Sequence, residues 1–298
     1  CSYALTAVMI SVARPSSAAV TQSYFLSVVR LRASASASSS FTQPDAPSAS
    51  SKSAKPFSST TQLRSSARRG TSTSTSASPI VVAGSPVNPF GMNQYAFACA
   101  STKKAAIVDC GASTEAEFEP FVEWLRNGGY EPTAALQTHA HLDHVAGLGF
   151  LREAYPEVPI YLHERERGLY ESFGETAGRR NFPTPGVPLP SSDDLIYFDD
   201  DEPASIAVGD LKLEIVPTPG HSPGHVGFYE PVSKSFFGGD LIMQGSVGRT
   251  DFPTSDPREM EKSLRRVAKM DEDMVIYPGH GGATILGQEK RSNPFLRG

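Results

Sequence analysis

The chain has 298 residues, with 27 basic and 32 acidic side chains, a formal net charge of −5 and 39% hydrophobic residues. No apolar run reaches the ~20 residues a membrane-spanning helix needs, and three cysteines (Cys1, Cys99, Cys110) make neither a disulfide framework nor a CxxC pair, which points to a reduced intracellular setting. Eight of the basic residues but only one acid, Asp45, precede residue 79, so the body keeps 19 basic and 31 acidic residues, a balance that argues against a broad nucleic-acid footprint.

Residues 1–78 are dominated by Ser, Ala and Thr and hold few large apolar side chains. Such a segment buries too little apolar surface to offset chain entropy and is expected to be disordered. Basic, Ser-rich and acid-poor composition fits a transit segment for a chloroplast or mitochondrion. Residues 79–298 have the length of one α/β domain with a sizeable core. Asn93–Ala100 and Ala105–Val108 read as a hairpin around Ser101–Lys104. Thr114–Arg126 reads as a helix with Phe118, Phe121, Val122 and Leu125 on one face, stopped by Asn127-Gly128-Gly129. A strand at Ala134–Thr138, a helix at Val145–Tyr155 and a strand at Ile160–Leu162 follow. Residues 178–194, rich in Pro and Gly, read as a loop or lid. Further strands are predicted at Leu195–Phe198, Ser205–Val208, Leu211–Val216, Val226–Tyr229, Ser235–Phe237 and Met274–Tyr277. Asp256–Met270 reads as a helix capped by Asp256 with Pro257 in its first turn. This mixture predicts a layered α/β or α+β domain.

Histidine is scarce, at seven residues, and three of them fall in Thr138–His144, "THAHLDH". The heptad follows a predicted strand and opens a predicted helix. His139 and His141 alternate on extended chain and so face one point, with Asp143 and His144 where the chain turns. Imidazoles and a carboxylate are good ligands for zinc or iron. Three more candidates sit after predicted strands, each preceded by Gly: His221 in "PTPGHSPGH", Asp240 in "FFGGDLI" and His280 in "VIYPGHG". Glycine allows a sharp turn and close approach of the backbone there. His225 is read as support for the ligands, His163 as a surface residue and Cys110 as a small buried one. Arg249 and Asp251 fit either a substrate contact or an ion pair that stabilises their loop.

In order, "THAHLDH", "PGHSPGH", "GGDLI" and "YPGHG" resemble the ligand motifs of the metallo-β-lactamase-fold hydrolases. "GSVGRTDFP" and the ending "GQEKRSNPF" look most like the short, single-domain glyoxalase II-like (hydroxyacylglutathione hydrolase-like) members. The resemblance implies a four-layer αββα sandwich with two divalent metal ions at one edge, zinc first, with iron or manganese as substitutes. His139, His141 and His221 would bind one ion, Asp143, His144 and His280 the second, and Asp240 both, with Asp143 also orienting the nucleophile. Two such ions, ~3.5–4 Å apart, can hold a hydroxide at neutral pH and polarise a carbonyl. A thioester, in particular a glutathione-derived 2-hydroxyacyl thioester, is a fitting small-molecule substrate because its thiol leaves with a pKa of only ~8–9. Neither nucleic acid nor membrane is expected as a partner. One alternative is a persulfide dioxygenase of related fold with a single iron on His139, His221 and Asp240. Another is a metal-binding scaffold without catalysis.

Overall fold

The structure is a computed structural model that describes residues 27–31, 80–202 and 204–297. The expected transit segment lies outside the described residues except for one short strand, β1 (Ser27–Leu31), which pairs antiparallel with β2 (Ile80–Val87). Elements are numbered in chain order. β1, β2, β3 (Met92–Cys99) and β4 (Lys104–Val108) run antiparallel to their neighbours, and β5 (Glu131–Leu136), β6 (Ile160–His163) and β7 (Ile196–Phe198) extend the sheet in parallel. The second sheet is a meander of β8 (Ser205–Val208), β9 (Leu211–Pro217), β10 (Val226–Glu230) and β11 (Ser235–Gly239). A small hairpin, β12 (Ile242–Met243) with β13 (Ser246–Val247), precedes β14 (Val275–Pro278), which joins β11 in parallel and carries β15 (Thr284–Ile285) at its far edge.

Period-two alternation assigns the layers. On β3, Tyr95 and Phe97 enter the core between the sheets while Ala96 and Ala98 face outward. On β11, Phe237 points between the sheets and Phe236 away from them. The outer face of the first sheet is covered by α1 (Glu115–Gly128) and α3 (Leu148–Ala154), through Phe118, Phe121, Leu125, Leu148 and Leu151. The outer face of the second is covered by α6 (Pro257–Val267) and α7 (Leu286–Ser292), through Met260, Leu264, Val267 and Leu286. This is the expected αββα sandwich.

Several local details differ from the sequence reading, the β12–β13 hairpin, β15 and α7 being further elements it did not name. β2 was not expected; its Ile80-Val81-Val82 run is buried on both faces, so it shows no alternation. The helix expected at Val145–Tyr155 is the shorter α3, and a separate turn of helix, α2 (Leu142–Val145), precedes it; the chain breaks between them where the Gly147 N–H donates to Cys110 O at 2.9 Å. Part of the expected 178–194 loop, with the residues before it, is helical: α4 (Arg167–Glu171) and α5 (Phe173–Arg180). Asp256 does cap α6, accepting from Arg258 N at 2.8 Å, but the helix ends at Val267 rather than Met270.

Candidate metal centre

The C-terminal ends of β4, β5, β9, β11 and β14 meet at one edge of the sandwich, and every proposed ligand lies just beyond one of them. Leaving β5, the chain stays extended through His141, whose φ is −63° and ψ 148°, and then closes into α2. His139 and His141 therefore project from extended chain, and Asp143 and His144 from the first turn of α2. The two sheets are tied beside this edge, by Val226 N to Thr138 O at 2.9 Å and Tyr95 Oη to Pro278 O at 2.8 Å.

All seven candidate ligands converge. One group is His139, His141 and His221; another is Asp143, His144 and His280; a third joins His139 and His144 to Asp240. The Asp240 carboxylate stands between the first two groups. Its Oδ2 is 3.4 Å from His221 Nε2 and 3.6 Å from His280 Nε2, and its Oδ1 is 3.6 Å from His144 Nε2. Gly279 makes this approach possible, since a Cβ there would collide with Asp240 Oδ1 and crowd the His144 ring. Gly239 adopts φ +49°, the left-handed turn that delivers Asp240 from β11.

The outer nitrogen of four imidazoles is held from behind, which fixes the inner one. His144 Nδ1 donates to Asp109 Oδ2 at 3.0 Å. His139 Nδ1 lies 3.0 Å from Thr138 Oγ1, which itself donates to Asp109 Oδ2 at 2.8 Å. His221 Nδ1 donates to Arg249 O at 2.8 Å, and His280 Nδ1 to Phe90 O at 3.2 Å. His139 Nε2, His144 Nε2 and Asp240 Oδ1 are buried and have no hydrogen-bond partner. Buried polar atoms without partners are costly. Three of them aimed at one point, among donors of the right kind, fit a pair of divalent cations.

Electrostatics divide the site. Burial, reinforced by neighbouring histidines, holds His139 well below the usual imidazole range and brings His141 down to about 3, so both rings are neutral and ready to ligate. On the other side burial also opposes charge on His144, but Asp109, Asp143 and Asp240 outweigh it and push its pKa up to about 10. Burial would raise the Asp143 carboxyl, yet His144 and His280 hold it below the usual carboxylate range. The second half of the site is thus a field that attracts positive charge.

His225 is not among the converging donors. Its Nε2 accepts from Asp240 N at 3.1 Å and its Nδ1 meets Thr218 Oγ1 at 2.8 Å, so both nitrogens are engaged in aiming Asp240. Arg249 and Asp251 pair with each other through two 2.5 Å contacts. Cys110 is fully buried. His163, expected at the surface, is only 2% exposed: it packs under the His221–His225 loop, and Nε2 lies 3.3 Å from Asp200. Two supporting residues were not anticipated. Asp109 also accepts from Thr138 N at 2.7 Å. Glu166, completely buried, accepts from Ala140 N at 2.8 Å and Gly224 N at 2.6 Å, strapping the heptad to the His221–His225 loop. Only the strand-end position of Asp109, in "VDCG", offered a local signal.

A profile described as the Metallo-beta-lactamase superfamily matches residues 88–280. The hydroxyacylglutathione hydrolase GloC of Haemophilus influenzae is 36% identical over 195 residues, covering 65% of this chain and 88% of the relative. Among solved structures, TTHA1623 in a di-iron-bound form is 36% identical with a TM-score of 0.60, covering 71% of this chain and 99% of that one. The BLEG-1 B3 metallo-beta-lactamase is 31% identical with a TM-score of 0.62, covering 73% of this chain and all of that one.

Proposed function

Because the chain belongs to the metallo-beta-lactamase superfamily, we propose that it is a metal-dependent hydrolase of a thioester, specifically an S-2-hydroxyacylglutathione. The observation that carries this reading is Asp240, placed between two groups of three donors, as a two-metal site requires. The GloC relative is a hydroxyacylglutathione hydrolase, which supports the substrate class. His139, His141 and His221 would hold one ion, Asp143, His144 and His280 the other, with Asp240 touching both. Zinc suits this donor set, and iron is the alternative that the di-iron relative brings forward. When bound, two such ions acidify water and polarise a carbonyl.

The protein's own contribution is position. Thr138, Asp109, Arg249 O and Phe90 O engage the outer ring nitrogens, so that the inner nitrogens are the ones that would offer lone pairs, His144 once it gives up its inner proton. Phe252 packs edge-on against His141 and His221, with centroids 4.9 and 5.8 Å away, and shields that flank from water. No side-chain acid is needed for the leaving group, because a thiol of pKa ~8.5 departs as thiolate. By composition, residues 1–78 are proposed to direct the chain to an organelle.

Metal analysis of the purified protein, paired with assays on S-lactoylglutathione and glutathione persulfide, tests the proposal. The expected result is two metal equivalents, loss of thioester absorbance and no oxygen uptake, with His280→Ala losing most of its activity. Oxygen uptake driven by glutathione persulfide, with S-lactoylglutathione left intact, would replace the hydrolase by the single-iron dioxygenase on His139, His221 and Asp240.

A further inference from the structure

Among the described residues, one cation at the mouth of the site has no carboxylate to answer its charge. Arg249 is paired with Asp251, and Arg179 with Glu175. Arg180 has no carboxylate partner among the described residues. Its guanidinium lies 5.3 Å from the centroid of Phe252, the ring that packs against His141 and His221, and its charge acts on His141. Arg180 thus stands one ring away from a ligand of the first metal position.

Its placement is fixed from below. α5 docks on α2, the helix of Asp143 and His144, through Ala177 and Phe182 against Leu142 and Ala146. After Arg180 the chain turns at Asn181, with φ 49°. Phe182 then turns inward to meet Phe90 at 5.3 Å, and Phe90 O holds His280. Residues 180–182 therefore span the mouth, from Phe252 beside the first metal position to Phe90 beside the second.

We infer that Arg180 binds a carboxylate on the thiol arm of the substrate and makes the protein select thioesters whose leaving thiol is anionic. This rests on the hydrolase reading above, in which a 2-hydroxyacyl arm is short and uncharged, so the substrate's negative charge sits on the thiol. Two residues of extended peptide reach about 7 Å, enough for a carboxylate to pass the Phe252 ring while the thioester carbonyl stays at the ligands. A planar guanidinium already resting on an aromatic face suits bidentate carboxylate binding.

The test uses the full chain, wild type, Arg180→Ala and Arg180→Lys, with two thioesters sharing one acyl group. S-lactoylglutathione has an anionic thiol arm, and S-lactoyl-N-acetylcysteamine an uncharged one. Arg180→Ala is expected to reduce the ratio of their kcat/KM values about fivefold to tenfold, through KM. Arg180→Lys should keep most of that ratio. Calorimetry with S-methylglutathione, a thioether with no thioester to hydrolyse, should show the same loss of affinity in Arg180→Ala. Equal loss on both thioesters, or equal S-methylglutathione binding by wild type and Arg180→Ala, overturns the assignment. Arg180-dependent binding of S-methylglutathione without turnover of either thioester supports it and overturns the proposed reaction instead.

Discussion

Asp109 never reaches the converging donor atoms, yet it sets which nitrogen of His144 carries the proton. Its Oδ1 accepts from Thr138 N, and its Oδ2 from Thr138 Oγ1 and His144 Nδ1. Asp109→Asn preserves the shape but leaves one acceptor oxygen. The 2.7 Å contact with the Thr138 backbone N–H claims that oxygen, so the amide NH2 faces His144. His144 must then accept at Nδ1 and place its proton on Nε2, the buried atom that should offer a lone pair to the ion. A lost charge-assisted hydrogen bond costs about 1.5–3 kcal/mol, which corresponds to about 10–100-fold in metal affinity. Competition titration against a chromophoric chelator should show this weakening, greatest for the equivalent bound by Asp143, His144 and His280. Two equivalents bound as tightly as in the wild type would refute the tautomer mechanism.

Asp240→Ala should sharply lower metal stoichiometry, whereas His225→Ala should keep the metals but melt earlier, since it leaves the buried Asp240 N–H without its acceptor, a cost of about 1–3 kcal/mol; equal metal loss in the two variants would contradict the role given to His225. Stripping the metals should lower the melting temperature, because the donors come from both sheets. Ions held at a hundred times their Kd stabilise the folded state by about 2.7 kcal/mol, roughly 5–10 °C for a domain of this size, and calorimetry with and without chelator reads the difference. A chain starting at residue 79 should keep its metal content and circular dichroism, since β1 is the outermost strand of its sheet and supplies no ligand; loss of either would make β1 part of the folding unit.

The seven converging donors were legible because the sequence groups them locally: four within one heptad, and three each behind a glycine at a strand end. Their supports were not. Asp109 lies 29 residues before Thr138 and 35 before His144, and Glu166 lies 58 residues from Gly224. Such pairs leave no periodic trace, and a buried carboxylate reads in sequence like any solvated one. His163 misled for the same reason, its burial coming from a distant loop packed over it. α4 and α5 were hidden by Gly168, Gly174 and Gly178, which depress helix propensity. They hold because Tyr170 and Ala177 are buried in the tertiary structure. The break between α2 and α3 is invisible for the opposite reason: Val145, Leu148 and Leu151 keep a helical spacing straight through it.

The two halves of the centre are unlike seats. The first offers three imidazole nitrogens, and the second two imidazoles with the Asp143 carboxylate, in the field of Asp109. Nitrogen-rich seats favour borderline ions such as zinc, and oxygen-bearing seats tolerate harder ones such as manganese. A mixed supply of ions is therefore expected to sort between them, so that the composition of the pair records the medium in which the chain was loaded as well as the sequence that built it.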